Sequence, residues 1–362
     1  MLERHCHMMC SKTVYRTFFI VLLSLLVLLT GCSAQSINKQ EQEPTSETQF
    51  LMGTVCKITI YDEVKDPAIF EKVFARIAEI ENRMTINKDT VESEIIKLNT
   101  AAGDSYVQLS PDTFYVMEKA KYYADLSGGK FDVTIGPLVK LWDITPEQTV
   151  VPEQAAIDSR LPQISSQYLL LNKETLTAKL AKRGMIVDLG AIAKGYAGDE
   201  AGRILTEAGI RHAIINLGGN VLTLNTKPDG SAWRIGVQDP YKPRGDYIGI
   251  ISLNHQTLVS SGTYERYFIA EGKHYHHLLN PFTGYPEDNS LVSVSIVTRN
   301  SIDGDALSTT IYMLGLEEGM AMIEKLPETE AIFITDDKKV YGSSGITSDN
   351  FEITNDSYQL QK

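Results

Sequence analysis

Cysteine is scarce in this chain: of 362 residues four are Cys, namely Cys6, Cys10, Cys32 and Cys56, and beyond the first 31 residues no Cys and His cluster at zinc-ligand spacing. A concentration of positive charge is missing as well. Lys and Arg number 34 against 46 Asp and Glu, the formal net charge is −12, and no stretch forms a basic stripe. Such a surface does not neutralise a phosphate backbone, so nucleic acid is not an expected partner. Internal repeats and low-complexity blocks are absent. The dinucleotide-binding spacing G-x-G-x-x-G is also lacking: Leu217-Gly218-Gly219-Asn220 follows a strand signal but runs into another, and reads as a bulge or turn. Ser260-Ser261-Gly262-Thr263-Tyr264 has no nucleophile-elbow surroundings and reads as a turn lining a pocket. An acidic protein of this kind could hold a pyrophosphate only by screening it locally, with a metal ion, a helix N-terminus or a few placed cations.

An apolar run long enough to span a membrane is missing too. Arg4, Lys12 and Arg16 precede Phe18 to Leu29, followed at once by Thr30, Gly31 and Cys32. About 12 residues rise only about 18 Å as a helix, against a hydrocarbon core of roughly 30 Å, so the segment reads as a secretory signal. Leu29-Thr30-Gly31-Cys32 resembles the lipobox of bacterial lipoproteins. That resemblance implies removal of residues 1–31, acylation of Cys32, and a body lipid-anchored on the extracytoplasmic face of the cell membrane. Cys56 then has no intramolecular partner, no disulfide framework exists, and its place in the apolar stretch Val55 to Ile60 makes it a small core residue. Ser33 to Thr48 has almost nothing to bury and reads as a disordered tether. The expected organisation is therefore a signal over 1–31, a tether over 32–48, one globular body over 49–346 and a tail over 347–362.

Within the body, apolar periodicity alternates between strand and helix. Val55 to Tyr61 reads as a strand, and Pro67 opens a helix with Ile69, Val73, Phe74, Ile77 and Ile80 at helical spacing. A second helix is expected from Pro111 to about Leu126, a hairpin across Asn172 to Thr175, and a helix over Lys194 to Ala208 followed by a strand at His212 to Leu217. Strands then crowd together: Trp233–Val237, Tyr247–Leu253, Thr257–Ser260, Tyr267–Ile269, Tyr275–Leu278 and Leu291–Thr298. Helices over Asp303–Leu314 and Glu317–Leu326 and strands at Ala331–Thr335 and Lys339–Tyr341 complete the pattern. Runs of strands with short turns point to an α+β fold, antiparallel or mixed sheets with flanking helices, and not to a doubly wound parallel sheet.

Three segments carry chemistry. In Val187-Asp188-Leu189-Gly190-Ala191-Ile192-Ala193-Lys194-Gly195 a carboxylate ends a strand, small residues follow and a Lys stands at a helix start, so backbone can approach a ligand closely. A plain strand-to-helix turn with a surface Lys is the alternative. In His276-His277-Leu278-Leu279-Asn280-Pro281-Phe282-Thr283-Gly284 only one imidazole can face a given site, held by the turn that Asn-Pro and Thr-Gly impose; a structural His is the alternative. In Asp303-Gly304-Asp305-Ala306-Leu307-Ser308-Thr309, a helix starting near Asp305 would put Asp305 and Thr309 on one face, where their oxygens can meet a hard cation such as Mg2+; an N-cap Asp is the alternative.

Taken in order, these segments resemble the ApbE family of FAD:protein FMN transferases. The resemblance runs from Phe50-Leu51-Met52-Gly53-Thr54 to about Gly345 and includes Phe131-Asp132-Val133-Thr134-Ile135-Gly136-Pro137-Leu138 with Leu141-Trp142, the Asp188 segment, Leu217-Gly218-Gly219, Ser261 to Tyr264, His277 to Gly284 and Asp305 to Thr309. It implies a T-fold-like α+β architecture and an FAD site lined by Met52, Lys130, Phe131, Asp132, Asp188, Lys194 and Leu279. It implies further a Mg2+ site, with Mn2+ the alternative, from Asp305, Ser308, Thr309 and the main-chain oxygen of Ala191, and His277 as catalytic base. The implied reaction moves FMN from FAD to a Ser or Thr hydroxyl of an exported acceptor protein and releases AMP. FAD hydrolysis to FMN and AMP, and non-catalytic flavin binding by a lipoprotein, are the alternatives. One departure stands out: where relatives often carry a Tyr after the first helix, this chain has Met84-Thr85-Ile86-Asn87.

Overall fold

Nine strands lie side by side in one sheet in the order in which they occur along the chain. In the computed structural model, which describes residues 43–87 and 93–361, they are β1 (Thr45–Leu51), β2 (Thr54–Ile60), β3 (Ala213–Leu217), β4 (Asn220–Leu224), β5 (Thr257–Gly262), β6 (Leu291–Thr298), β7 (Glu330–Thr335), β8 (Lys339–Gly342) and β9 (Gln359–Leu360). Every neighbouring pair is antiparallel except β8 with β9. Each long insertion therefore leaves and rejoins the sheet at adjacent strands.

Alternation along these strands makes two apolar faces. Ile58 and Ile60 of β2, Ile215 and Leu217 of β3, Leu222 and Leu224 of β4, Ile296 of β6 and Phe333 of β7 share one core with the helices. Leu258, Val297, Ile332 and Ile334 point the other way, into a core closed by a three-stranded sheet of Trp233–Gln238, Tyr247–Leu253 and Phe351–Ile353. Four longer helices cover the first face: α1 (Ala68–Met84), α2 (Pro111–Leu126), α3 (Ala193–Glu207) and α4 (Ser301–Ile323). α1 buries all five residues that its spacing singled out. α2 opens on the Ser110 hydroxyl, which accepts from the Thr113 N–H, with Pro111 in the first turn. The α+β architecture is the one the strand and helix pattern predicts. Cys56 is fully buried, and burial pushes its thiol up to about 11.

Four expectations need correction. The tether does not reach Thr48: β1 begins at Thr45 and pairs over its whole length with β2. Thr45 to Phe50 are exposed and only Leu51 packs against the core, so main-chain pairing more than apolar burial holds it, and no apolar pattern announced it. The expected tail over 347–362 is part of the fold, since Phe351 and Tyr358 are 3% and 4% exposed in the second core and β9 adds to the main sheet. The Asp303 and Glu317 helices are one span that starts two residues early and breaks at Gly315, whose φ of 80° and ψ of −177° are not helical. Ser261 and Gly262 end strand β5 and do not form a turn. Short helices at Glu94–Thr100, Gly136–Trp142 and Gln154–Arg160 had gone unread. Residues 1–31, Cys32 and the tether as far as 42 lie outside the described residues.

α3 and α4 touch through glycine. A Cβ on Gly195 would collide with the Ser301 carbonyl and lie 2.7 Å from Cβ of Asp305, and one on Gly198 would lie 3.0 Å from the Ser301 hydroxyl. On the sheet side, Gly202 admits Leu222 and Leu224. Gly195→Ala should therefore force the two helices apart and cost about 1–3 kcal/mol, the range for overpacking a tight contact. Urea unfolding of the variant at neutral pH checks this.

Candidate active site

The register of the main sheet brings three turns and strand ends to one end. The β1–β2 connection is Met52-Gly53 with φ of 52° and 70°, and the β3–β4 connection is Gly218-Gly219 with φ of 63° and 103°; two successive left-handed residues make the tight hairpin turns that match strand twist. Leu217 pairs with Cys56 on one side and with Asn220 on the other, and β5 runs from Thr257, opposite Leu222, up toward Gly262. The side of Gly218 where a Cβ would stand is filled by Thr54. Over this end sit the first turn of α3 and the second and third turns of α4.

Asp305 is the centre of that overlap. It is 4% exposed; Oδ2 accepts the Gly195 N–H at 2.9 Å, and Oδ1 lies 3.7 Å from Nζ of Lys194. Lys194 in turn reaches the Gly190 carbonyl at 3.3 Å, and the Gly190 N–H donates to Oδ1 of Asp188 at 2.8 Å, an Asx turn that leads the chain into α3. The Asp188 and Asp305 segments, 117 residues apart in numbering between their two carboxylates, thus meet. Ser308 donates to the Asp305 carbonyl at 2.9 Å and stands 2.8 Å from the Ser261 hydroxyl, which is also 3.3 Å from Oγ1 of Thr309. Ser261, read from the sequence only as part of a turn, belongs to the cluster.

The helix carrying these oxygens does not start near Asp305. It starts at Ser301, so Asp305 is no N-cap, and Asn300, which is in the cap position, makes no capping bond. The N–H groups of Ser301 and Ile302 donate instead to the Asp199 carboxylate of α3, at 2.6 and 2.9 Å. These would otherwise be orphan donors at a helix end. Asp199 was not singled out in the sequence; a carboxylate within an otherwise small-residue helix face, Gly195, Gly198 and Gly202, was the available signal. Asp303 ties α4 to α2 through Lys119 and Tyr123, each at 2.7 Å.

The paired histidines divide, but not by alternation within one strand: the strand expected over Tyr275–Leu278 runs from Lys273 and ends at His276. His276 is 6% exposed, its Nε2–H donates to the Glu287 carbonyl at 3.0 Å, and its ring meets Tyr312 edge-on at 5.8 Å. Burial pushes its pKa down to about 4. His277 stands just beyond the strand Lys273–His276, and its Nδ1 lies 3.2 Å from the Arg266 carbonyl. A carbonyl can only accept, so the ring proton sits on Nδ1 and Nε2 keeps its lone pair. Burial first, then the positive charge of Arg266, with Lys194 acting in the same direction, holds this imidazole well below its usual pKa. The turn that follows is rigid: Oδ1 of Asn280 accepts from the N–H of Phe282 at 2.8 Å and of Thr283 at 3.1 Å, and the Trp142 indole donates to the Gly284 carbonyl at 2.7 Å.

The remaining candidates fall into two groups. Lys130 donates to the Met313 carbonyl at 3.0 Å, four residues on from Thr309 and just before the Gly315 break, where carbonyls lose their helical partners. Met52 is half-buried in its turn, Ala191 half-buried in the Asp188 loop, and Leu279 is 7% exposed beside Leu138 and Trp142. By contrast Phe131 is a core residue, edge-on to Tyr123, and the Asp132 carboxylate is consumed within the protein by the Thr134 N–H and hydroxyl and the Ser166 N–H, at 2.7–2.8 Å. In the departing segment Asn87 accepts from Lys140 at 3.0 Å.

As metal donors, Asp305, Ser308, Thr309 and Ala191 offer only oxygens and one carboxylate. That set suits a hard cation that takes its other ligands from phosphate and water, and not zinc. Among the described residues no group of three or more His, Cys, Asp or Glu side chains converges as a cation site. Hard oxygens, one ammonium group and one uncharged imidazole are what phosphoryl transfer asks of a protein.

Comparison with known proteins gives this class its name. Residues 52–333 match the ApbE family, and the chain belongs to that family. A FAD:protein FMN transferase of Klebsiella pneumoniae (strain 342) is 38% identical over 83% of this chain and 92% of its own length, and one of Treponema pallidum (strain Nichols) is 32% identical over 83% and 87%. Among solved structures, the ApbE protein of Thermotoga maritima superposes with a TM-score of 0.76 at 28% identity, covering 83% of this chain and 97% of that one. The flavin transferase ApbE of Vibrio cholerae gives 0.73 at 25%, with the same coverage.

The buried imidazole makes stability depend on pH. For His276 the folded pKa of about 4 lies below the unfolded value of 6.5, so its contribution is present above pH 6.5 and is lost as pH falls from 6.5 toward 4. The loss is on the order of 3 kcal/mol. His277 adds in the same direction. Urea midpoints measured between pH 7 and 4.5 should fall in this window, and His276→Gln should flatten part of the slope.

Proposed function

We propose that this protein is a FAD:protein FMN transferase that moves FMN onto a Ser or Thr hydroxyl of an exported acceptor and releases AMP. The observation that carries the reading is the meeting of Lys194 with Asp305, Ser308 and Thr309 over one sheet end, together with His277 held neutral nearby. The names of the relatives support it. Asp305, Ser308, Thr309 and the Ala191 carbonyl would hold Mg2+, or Mn2+ in its place. Such an ion, when bound, would neutralise charge on the pyrophosphate.

The chain's own residues supply the rest. Lys194 places a fixed positive charge beside Asp305, which keeps the carboxylate from repelling an incoming phosphate. Nε2 of His277 takes the proton from the acceptor hydroxyl; the oxygen bonds to the FMN phosphorus, and the bond from that phosphorus to the AMP oxygen breaks. Because the imidazole stays neutral well below pH 6.5, the base needs no deprotonation at neutral pH. Met52, Lys130, Phe131, Asp132, Asp188 and Leu279 are proposed to line or shape the FAD site. Phe131 and Asp132 would do so by fixing the loop between α2 and the helix Gly136–Trp142 and not through free side-chain groups.

The test is AMP release and covalent flavin on a candidate acceptor, followed with purified protein, FAD and Mg2+. Asp305→Ala and His277→Ala should each reduce transfer by about 100-fold or more, His277→Ala with little change in FAD affinity. Full transfer by Asp305→Ala would remove the metal assignment, and AMP released at the same rate without acceptor would make the protein a FAD hydrolase.

We also propose that Cys32 is acylated and holds the body on the extracytoplasmic face of the membrane. The support is the Leu29-Thr30-Gly31-Cys32 sequence after a short apolar run; among the described residues no helix is long and apolar enough to cross a membrane. Cys32→Ser should move the protein from the membrane fraction to the soluble fraction, with FAD affinity unchanged.

A further inference from the structure

Asn220 is 5% exposed, and its Nδ2 is fully buried with no hydrogen-bond partner. Buried donors are nearly always paired, because an unpaired one forfeits its hydration. Its neighbours on the same face of the sheet are apolar. Alternation along β4 puts it on the helix-covered face with Leu222 and Leu224, which press against Gly202 of α3. Its cross-strand partner Leu217 lies 3.8 Å from the Cβ position of Gly198, and one register step beyond Leu258–Val221 on the other side comes Val259, 2.9 Å from the Cβ position of Gly304 in α4. Asn220 therefore stands on the sheet under the crossing of α3 and α4, the crossing at which Gly195 holds Asp305. Toward the sheet end it is followed only by Gly219 and Gly218, and the Cβ position of Gly219 faces open space within 4 Å.

We infer that the Asn220 amide is a binding and positioning group for the nucleotide, with Nδ2 donating to an anionic oxygen that enters beneath Lys194 and Asp305, a pyrophosphate oxygen of FAD. The inference rests on the transferase reading above and extends it to a residue outside the motif positions that suggested that reading. An unpaired donor is costly to the ligand-free fold and is compensated when the acceptor arrives. A residue that serves the ligand and not the fold thus has an opposite signature in the two states.

Asn220→Leu, close in shape and without polar atoms, should leave the melting temperature of the ligand-free protein unchanged or raise it, while weakening FAD binding, read by flavin fluorescence, by about tenfold or more. Asn220→Asp keeps shape and polarity but presents no donor, and should weaken FAD binding at least as much. If either folded variant binds FAD with wild-type affinity, the assignment is overturned. A ligand-free melting temperature lowered by several degrees in Asn220→Leu with FAD affinity intact gives Asn220 a purely structural role and overturns it too. Wild-type protein that binds no FAD would instead overturn the transferase reading, and the inference with it; the wild-type binding measurement separates the two failures.

Discussion

Everything at the active end depends on how closely two helices approach. Asp305 accepts from the Gly195 main chain only because neither residue 195 nor residue 198 has a side chain, and α4 is started by a carboxylate from α3 and not by its own cap. The main-chain bond and the borrowed cap work together: Asp199 fixes where α4 begins, and the position of Asp305 along the helix follows. Lys194 then needs no adjustment to lie beside a carboxylate that is almost wholly buried. The site is thus assembled by backbone geometry first and by charge second, which suits an acidic protein that must admit an anion.

The elements most legible in the sequence were those whose burial is one-sided. α1, α2, β6 and the hairpin across Asn172 announced themselves through period and punctuation; the start of α1 and the bounds of the other three agree with the structure to within a residue or two. What escaped was held by forces with no periodic signature. β1 is exposed up to Phe50 and kept mainly by main-chain pairing with β2, and β9 is two residues long. The break at Gly315 looked like a gap between two helices because a single glycine with φ of 80° interrupts a continuous apolar pattern.

The site shows the same division. The three chemical segments and the pairing of Asp305 with Thr309 were readable, since helical spacing alone puts them on one face. Ser261 and Asp199 were not, because their roles arise from tertiary contact across 47 and 102 positions. Asp132 illustrates the converse. A motif carboxylate drew attention as a ligand contact, yet its oxygens are spent on Thr134 and Ser166. Motifs mark what a site cannot lose, and that includes residues whose work is to shape a loop.

Cys56 lies within the sheet next to this machinery, and burial holds its thiol near 11. Thiol–disulfide exchange proceeds through the thiolate, and a sulfur kept protonated and out of reach is a poor reactant whatever the redox poise around it. The globular body therefore carries its single sulfhydryl as inert ballast: once folded, it offers an oxidant or a foreign thiol nothing to pair with.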